Sequence, residues 1–499
     1  MSALDAYESL PYDRLSVAET HPDHLAALAR LYGIDCPDPR SSRVLELGCA
    51  AGANLIPMAW FLPRARFVGL DISAHQVQNG QRDIDTLGLD NIQIRRADVA
   101  EVELEGEGFD YIIAHGLYSW VPAPVRGALL ALIRRQLRPR GIAYLSFNAL
   151  PGWHMRGMLR EMLLFHVRAF GEPLQRVQAA REFLGTLETG LTGLEALSAS
   201  YLLHEMVELK SAPDSYLYHE YLTTINEPVL FTGFVDEACQ AGLKYLCNAD
   251  LRYQFPAMLG DGAEHMLSVF SDPLQRQQYL DFLINRNFHQ ALLVRDDTPA
   301  LSEPDIENFS TLALYSDLVA PQRLDLRKTK AQSFTDTAGQ TVAVKHPLTK
   351  AALNHLSAVY PRAIAYTELE QIAQQQVAAA GDRRLAEQTD HLFGELFYLF
   401  IDGVLFVSPH DGGGADTPAD EPPCANALAR LEAAAARLVD SRHRSLLLDD
   451  VTRQMINLMD GALDRHELAT RLRAIDPGCR ASDLAPLIDS LARRGALRG

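Results

Sequence analysis

Three carboxylates in this chain each stand at the end of a short apolar run. Glu46 lies in Val44-Leu45-Glu46-Leu47, Asp71 closes Phe67-Val68-Gly69-Leu70-Asp71, and Asp98 follows in Arg96-Ala97-Asp98-Val99. The first run passes into Gly48-Cys49-Ala50-Ala51-Gly52 and then into a helical stretch. A glycine-bearing loop between strand and helix lets the backbone approach a ligand and offers free N–H groups to an anion. A carboxylate ending the second strand can accept both ribose hydroxyls. One after the third strand can accept from an adenine amino group, and Glu46, two residues before the first glycine, can hold the methionine end of a cofactor. Taken singly, each acid also reads as a cap or turn residue. Taken in order, the set fits S-adenosylmethionine, with a dinucleotide as the alternative because its loop follows the same logic. Ala50, where a second glycine is usual, softens the match. The candidate cofactor residues are Glu46, Gly48, Cys49, Ala50, Gly52, Asn54, Asp71, Ile72, Asp98, Val99, His115 and Gly116.

The segments leaving the next two apolar runs carry aromatics and amides: Ala114-His115-Gly116-Leu117-Tyr118-Ser119-Trp120-Val121-Pro122 and Ser146-Phe147-Asn148-Ala149-Leu150-Pro151-Gly152-Trp153-His154. In open α/β sheets ligands bind outside the carboxyl ends of the strands. Methyl transfer from a sulfonium is an in-line displacement that depends on positioning in a dry site. Aromatic faces attract cations, so Tyr118, Trp120 and Trp153 are candidate walls for the sulfonium and an amine. Tyr118, Trp120 and His115 form the candidate catalytic set. Desolvation lowers a lysine pKa, so no strong base is obligatory; His115, His154 and His219 are candidate proton acceptors. In Tyr216-Leu217-Tyr218-His219-Glu220-Tyr221-Leu222, Tyr218 could line a channel and Glu220 could orient a substrate ammonium. The candidate substrate residues are thus Tyr118, Trp120, Asn148, Trp153, His154, Tyr218 and Glu220. Ordinary packing of aromatics and structural hydrogen bonding of histidines are the competing readings of each.

The elements that must hold these residues alternate. Strands are expected at Arg43–Leu47, Arg66–Leu70, Ile92–Arg95, Tyr111–His115 and Gly141–Phe147, with helices starting near Ala53, Ala74 and Pro124. This alternation predicts a parallel sheet covered on both faces. A preceding helix, capped by Thr20 or His21, carries Leu25, Leu28, Leu31 and Tyr32 and ends at Gly33. The leader with Tyr12 and Glu19-Thr20-His21 is a candidate lid over the cofactor. Strands Leu243–Asn248 and Phe288–Arg295, with helices Gly233–Ala241 and Pro273–Asn285, predict a closing antiparallel pair. The reading is a Rossmann-like, seven-stranded α/β core formed by 1–152 and 213–297. It is interrupted by a helical insertion at 153–212. A winged-helix-like middle domain at 298–410 includes a helix Ala386–Leu399 and a hairpin-like Asp402-Gly403-Val404. A linker at 411–425 and a helical C-terminal domain at 426–499 follow.

The chain has 499 residues, a formal net charge of -18 and six scattered cysteines without a CxxC pair. Its length calls for several domains. The acidity disfavours nucleic acid and anionic membranes as partners, and the cysteines indicate neither a metal site nor a redox pair. No apolar run approaches the ~20 residues of a membrane span, and no signal pattern opens the chain, so a cytoplasmic protein without membrane insertion is expected. Residues 426–499 carry 12 arginines against 10 acids, short of the basic excess of a DNA reader.

Five segments together resemble bacterial methyltransferases with a methyltransferase regulatory domain, and in particular the protein lysine methyltransferases that modify outer-membrane protein. They are Glu19-Thr20-His21-Pro22, Gly48-Cys49-Ala50-Ala51-Gly52-Ala53-Asn54-Leu55-Ile56-Pro57-Met58-Ala59, Ala114–Pro122, Asn148–His154 and Tyr218–Leu222. The resemblance covers roughly residues 5–300. It implies a class I methyltransferase core, a helical region through which two copies dimerise, a middle domain and a C-terminal domain. Glu46, Gly48, Asn54, Asp71, Asp98 and His115 match its cofactor positions; Ala53, where relatives often have glycine, departs from it. The resemblance implies S-adenosylmethionine as cofactor and lysine side chains of a protein as acceptors. A small-molecule O- or N-methyltransferase and a cofactor-binding regulator are the alternatives.

Overall fold

The structure is a computed structural model that describes residues 10, 14–337, 339–381, 383–413, 422–474, 476 and 481–497. Tyr12 and most of the expected linker lie outside the described residues.

Seven strands make the central sheet, in the order β3-β2-β1-β4-β5-β7-β6. β1 (Arg43–Leu47), β2 (Arg66–Asp71), β3 (Ile92–Arg96), β4 (Phe109–Ala114) and β5 (Leu137–Asn148) run parallel. β7 (Phe288–Arg295) is antiparallel to both β5 and β6 (Leu243–Asn248). β1 and β4 are buried on both faces, as continuous apolar strands in a helix-covered parallel sheet must be. β5 starts four residues before the expected strand. Its charged opening, Arg138-Pro139-Arg140, hid the start, yet Leu137 already pairs with Phe109. β4 stops at Ala114, which leaves His115 beyond the strand end.

Helices α1 (Pro22–Leu31), α2 (Leu55–Phe61), α3 (Ala74–Leu87) and α4 (Ala123–Gln136) complete the first half of the core. α1 is capped by the His21 ring, which accepts from the Asp23 N–H, and not by Thr20. The Thr20 hydroxyl donates to Val17 O instead. α5 (Gly152–Val167), α6 (Pro173–Leu191) and α7 (Leu197–Ser211) form a helical bundle of their own. It is closed by the short α8 (Asp214–Leu217) and a π-turn at Tyr218–Leu222 around Leu159, Leu163, Leu202 and Met206. Phe165, Leu174, Leu197 and Val207 on these helices are exposed. α9 (Phe231–Gln240), α10 (Asp261–Leu267) and α11 (Pro273–Leu283) accompany β6 and β7. No helix among the described residues is long and apolar enough to cross a membrane.

In the middle unit β8 (Ala313–Tyr315) sits between two antiparallel neighbours, β11 (Ile364–Ala365) and β12 (Phe406–Ser408), while β9 (Gln332–Thr335) and β10 (Thr341–Val344) pair with each other. Its helices are α12 (Pro347–Val359), α13 (Tyr366–Ala379), the single turn α14 (Arg383–Ala386) and α15 (Thr389–Ile401). Asp402-Gly403-Val404 is not a hairpin. Gly403, at φ 77°, ends α15, and the following β12 pairs with β8. The C-terminal unit holds α16 (Ala427–Ala434), α17 (Asp450–Leu458), α18 (Arg465–Leu472) and α19 (Ala481–Arg493). It also holds a short hairpin, β13 (Arg437–Val439) with β14 (Ser445–Leu447), within a domain expected to be mostly helical and winged-helix-like.

One apolar cluster runs from α1, α2 and one sheet face into the middle unit. Phe309 is fully buried there, stacked on Phe400 and edge-on to Tyr366, Phe393 and Phe397. Deleting a buried phenyl ring costs about 3–5 kcal/mol. Phe309→Ala is therefore expected to lower the unfolding free energy of the transition that includes the middle unit by that much, seen as a lower urea midpoint at unchanged slope. An unchanged midpoint would show that Phe309 does not hold this core together.

Candidate functional site

The strand order reverses between β1 and β4, which are neighbours although β2 and β3 intervene in sequence. Loops leaving such strands diverge and open a crevice. The loop after β1 needs left-handed backbone at Gly48 (φ 75°), Ala50 (φ 47°) and Gly52 (φ 76°). At Gly52 a Cβ would stand 2.4 Å from the end of the Ile94 side chain, which would have to move, and the left-handed backbone adds its own strain to any other residue. Ala50 pays about 1–2 kcal/mol for its conformation, offset by its N–H, which donates to Asp71 Oδ2 at 2.8 Å. The backbone thus keeps the glycine-like turn despite the alanine.

Glu46 is 3% exposed. Its Oε1 accepts from Asn54 Nδ2 at 2.8 Å, and its Oε2 is buried without a hydrogen-bond partner. Burial, aided by the negative charge of Asp71, pushes its pKa up to about 8, against the opposing effect of the Asn54 hydrogen bond. A buried carboxyl with one oxygen orphaned fits a cationic ligand group, such as the ammonium of the cofactor expected from the sequence. Asn54 is fully used. Nδ2 donates to Glu46 and to Thr20 Oγ1, and Oδ1 accepts from the Val17 N–H at 2.9 Å and faces His443 Nε2 at 2.8 Å.

Asp71, 4% exposed, accepts from the Ala50 N–H with one oxygen and the Ser73 N–H with the other. The Ile72 N–H also acts on the carboxylate, which with about four lone-pair sites keeps acceptor capacity for a hydroxyl. Ile72 beside it is 44% exposed. Asp98 is half-buried after β3 and caps its own turn by accepting from the Ala100 N–H; Val99 beside it is half-buried too. Cys49 is buried against Gly69, where a Cβ would meet its sulfur at 2.7 Å. Beyond β4, His115 Nδ1 lies 2.9 Å from the Tyr144 hydroxyl. Burial lowers the His115 pKa to about 4, so the ring is neutral near pH 7. Gly116 is exposed, at φ 63°, and its N–H donates to Ser146 Oγ.

The expected substrate residues do not form one wall. Tyr118 is fully buried on the opposite side of the sheet, tilted against Phe147 and edge-on to Phe234, with its hydroxyl donating to Glu237. It is a core tyrosine, and its assignment as a catalytic and substrate-contacting residue is corrected on that ground. Trp120 is half-buried in the same 3-10 turn. Asn148 donates through Nδ2 to Asn226 Oδ1, and its N–H donates to Ser119 Oγ. Trp153 is buried beside Tyr221 with its indole N–H unpartnered, and His154 is exposed. Tyr218 is buried in the helical bundle, edge-on to His219, whose Nε2 lies 2.5 Å from Leu10 O; Glu220 is half-buried. Reading from sequence missed Tyr144, Ser119, Asn226 and His443. Tyr144 had a signal: it shares a strand face with Ser146 and Asn148 through the period of two.

Two measurements test this site. Asp71→Ala, which also frees the Ala50 N–H, is expected to abolish calorimetrically detectable binding of S-adenosylmethionine; unchanged affinity would remove Asp71 from the site. Glu46 titrates higher in the folded protein than its ordinary value of 4.5. Stability from burying the neutral acid is therefore complete below about 4.5 and is lost as pH rises through about 8. The cofactor-free Glu46→Gln variant should show a flatter melting temperature across that window than the parent protein. Cofactor binding to the parent at pH 6.5 should release a proton that the variant does not release. Equal slopes and equal proton release would refute the assignment.

Residues 44–141 match the family model described as a methyltransferase domain, and residues 213–295 match that of a predicted methyltransferase regulatory domain. The chain is 35% identical over 309 residues to the uncharacterised protein RP789 of Rickettsia prowazekii (strain Madrid E), a match covering 61% of this chain and 56% of that one. It is 31% identical over 241 residues to RP028 of the same organism, covering 48% of this chain and 96% of that one. The chain thus spans little more than half the length of RP789. In fold it is similar to PKMT2 from Rickettsia typhi in complex with AdoHcy, with a TM-score of 0.85 and 24% identity over 98% of this chain and 100% of that one. With these matches laid over the buried acids and the glycine turn, the chain belongs to the class I S-adenosylmethionine-dependent methyltransferases that carry a methyltransferase regulatory domain.

Proposed function

We propose that this methyltransferase transfers methyl groups to lysine side chains of a protein. The observation that carries this reading is exposure beside the buried acids and past the strand ends: Ile72, next to Asp71, is 44% exposed, and Gly116 and His154, in the segments leaving β4 and β5, are exposed. An acceptor presented on a large surface can reach such positions, whereas a small molecule gains from enclosure. The resemblance of the sequence segments to lysine methyltransferases and the likeness of fold to PKMT2 support the same reading.

The cofactor, when bound, supplies an electrophilic methyl group on a positively charged sulfur. The protein's own residues would do the rest. Glu46, kept in place by Asn54, takes the methionine end, and Asp71 takes the ribose. Neutral His115, oriented by Tyr144, would add no positive charge to the site. The lysine sheds its proton to water as it is desolvated and attacks as the free amine. Held by Glu46 and Asp71, the cofactor would supply its sulfur-bound methyl group to that amine.

Incubating the protein with methyl-labelled S-adenosylmethionine and bacterial lysate is expected to place label on protein bands, at lysine by mass spectrometry. Label confined to small molecules would overturn the lysine reading and leave an O- or N-methyltransferase of metabolites.

A further inference from the structure

The hairpin β13–β14 belongs to the C-terminal unit, yet its tip lies in the cofactor half of the core. Asp440 organises the tip: Oδ1 accepts from the N–H groups of Arg442 and Arg444. Oδ2 accepts from the Tyr360 hydroxyl at 2.6 Å and from Arg494 at 2.9 Å. Arg442 donates to Pro361 O and lies 3.5 Å from Asp23, so the tip is also fastened to the middle unit and to α1. These bonds leave His443 at the apex, in left-handed backbone (φ 61°) and 2% exposed. Its Nε2 is 2.8 Å from Asn54 Oδ1.

The direction of that bond follows from the neighbours. The Val17 N–H can only donate, and it points at the same Asn54 atom, which must be the oxygen. His443 therefore donates from Nε2. With Oδ1 fixed by two donors, the other end of the carboxamide presents N–H groups to Glu46. The same unit reaches the start of α2 a second way. Arg437, ion-paired with buried Glu432, donates to Ala53 O at 3.3 Å and to Arg14 O at 2.7 Å.

We propose that the C-terminal unit is part of the cofactor site: His443 is a positioning residue that fixes Asn54 and, through it, the Glu46 carboxylate that receives the methionine end of the cofactor. The unit then contributes to cofactor affinity without touching the reacting atoms. This rests on the cofactor assignment above, and the experiment separates the two.

The full-length protein is titrated calorimetrically with S-adenosylhomocysteine as parent, His443→Asn, His443→Gln, Asn54→Ala and the double variant Asn54→Ala/His443→Asn. Asparagine tolerates the left-handed backbone but is too short to reach Asn54; glutamine keeps a donor at longer reach. Losing a buried hydrogen bond predicts a Kd raised about 5- to 30-fold in His443→Asn, with partial recovery in His443→Gln. The double variant should bind no worse than Asn54→Ala alone. With labelled S-adenosylmethionine, KM for the cofactor should rise while kcat stays within about twofold. Unchanged Kd in His443→Asn, or additive losses in the double variant, would overturn the proposal while leaving the cofactor assignment intact. A parent protein that binds no S-adenosylhomocysteine would instead defeat that assignment. Loss of folding in both His443 variants would also overturn the proposal, because the turn is held by Asp440 and the role given to His443 is one in affinity.

Discussion

At the end of β1 a carboxyl group is held almost out of water with only one of its oxygens hydrogen-bonded. Ionised and unpaired, such a group would cost several kcal/mol, so the free protein keeps the Glu46 proton well above the usual carboxylate range. The surrounding geometry tolerates this tension and does not relieve it. Asn54 could have been replaced by a cation, which would neutralise the site. A neutral amide instead orients the carboxylate and leaves its charge for a ligand. Binding a ligand cation then does two things at once: it removes the desolvation cost and settles the protonation state.

The sheet makes that arrangement affordable. β1 is paired on both sides, with β2 from Arg43 to Leu47 and with β4 from Val44 to Glu46, so the backbone at Glu46 has no freedom to turn the side chain toward solvent. The following loop must reverse within five residues, and it does so through three left-handed positions. Asp71 holds the least comfortable of them, Ala50, through a backbone N–H. The acid that reads from sequence as a ribose acceptor therefore also keeps the loop in shape. The bonds to Ala50 and Ser73 use only part of the carboxylate's acceptor capacity, so the structural role leaves room for the ribose role expected from sequence.

The core was legible in sequence because its signals are local. Continuous apolar strands, a glycine loop and acids at strand ends each occupy a few residues, and β1, β6 and β7 begin and end where their apolar runs do. β5 was less so, because a strand can start on Arg-Pro-Arg when its neighbour offers a partner. Tyr118 shows a different limit. Its position beyond β4 is evident from the chain, but whether the ring turns toward the strand ends or under the sheet depends on Phe147 and Phe234, which come from other elements. The hairpin at Arg437–Leu447 is too short for any periodicity to reveal, and the contact of His443 with Asn54 spans 389 positions. No local pattern encodes that pairing; only the completed fold does.

That long-range contact bears on why the chain has so many parts. The start of α2 is gripped from two directions. Ser16 of the leader and Arg437 of the C-terminal unit both donate to Ala53 O, and Val17 and His443 both converge on Asn54 Oδ1. Arg14 adds an ion pair to Asp83 on α3 and lies 3.9 Å from Glu432. The two ends of the described chain thus meet over the helix that begins where the cofactor loop stops. A glycine-rich loop on an isolated core has few contacts to hold its helix start in register. Here Ser16, Val17, Arg437 and His443 find these acceptors only when all three segments are together. The order of the loop is therefore shared with elements outside the sheet, and any change in how the C-terminal unit docks has a short path, through Asn54, to the Glu46 carboxylate.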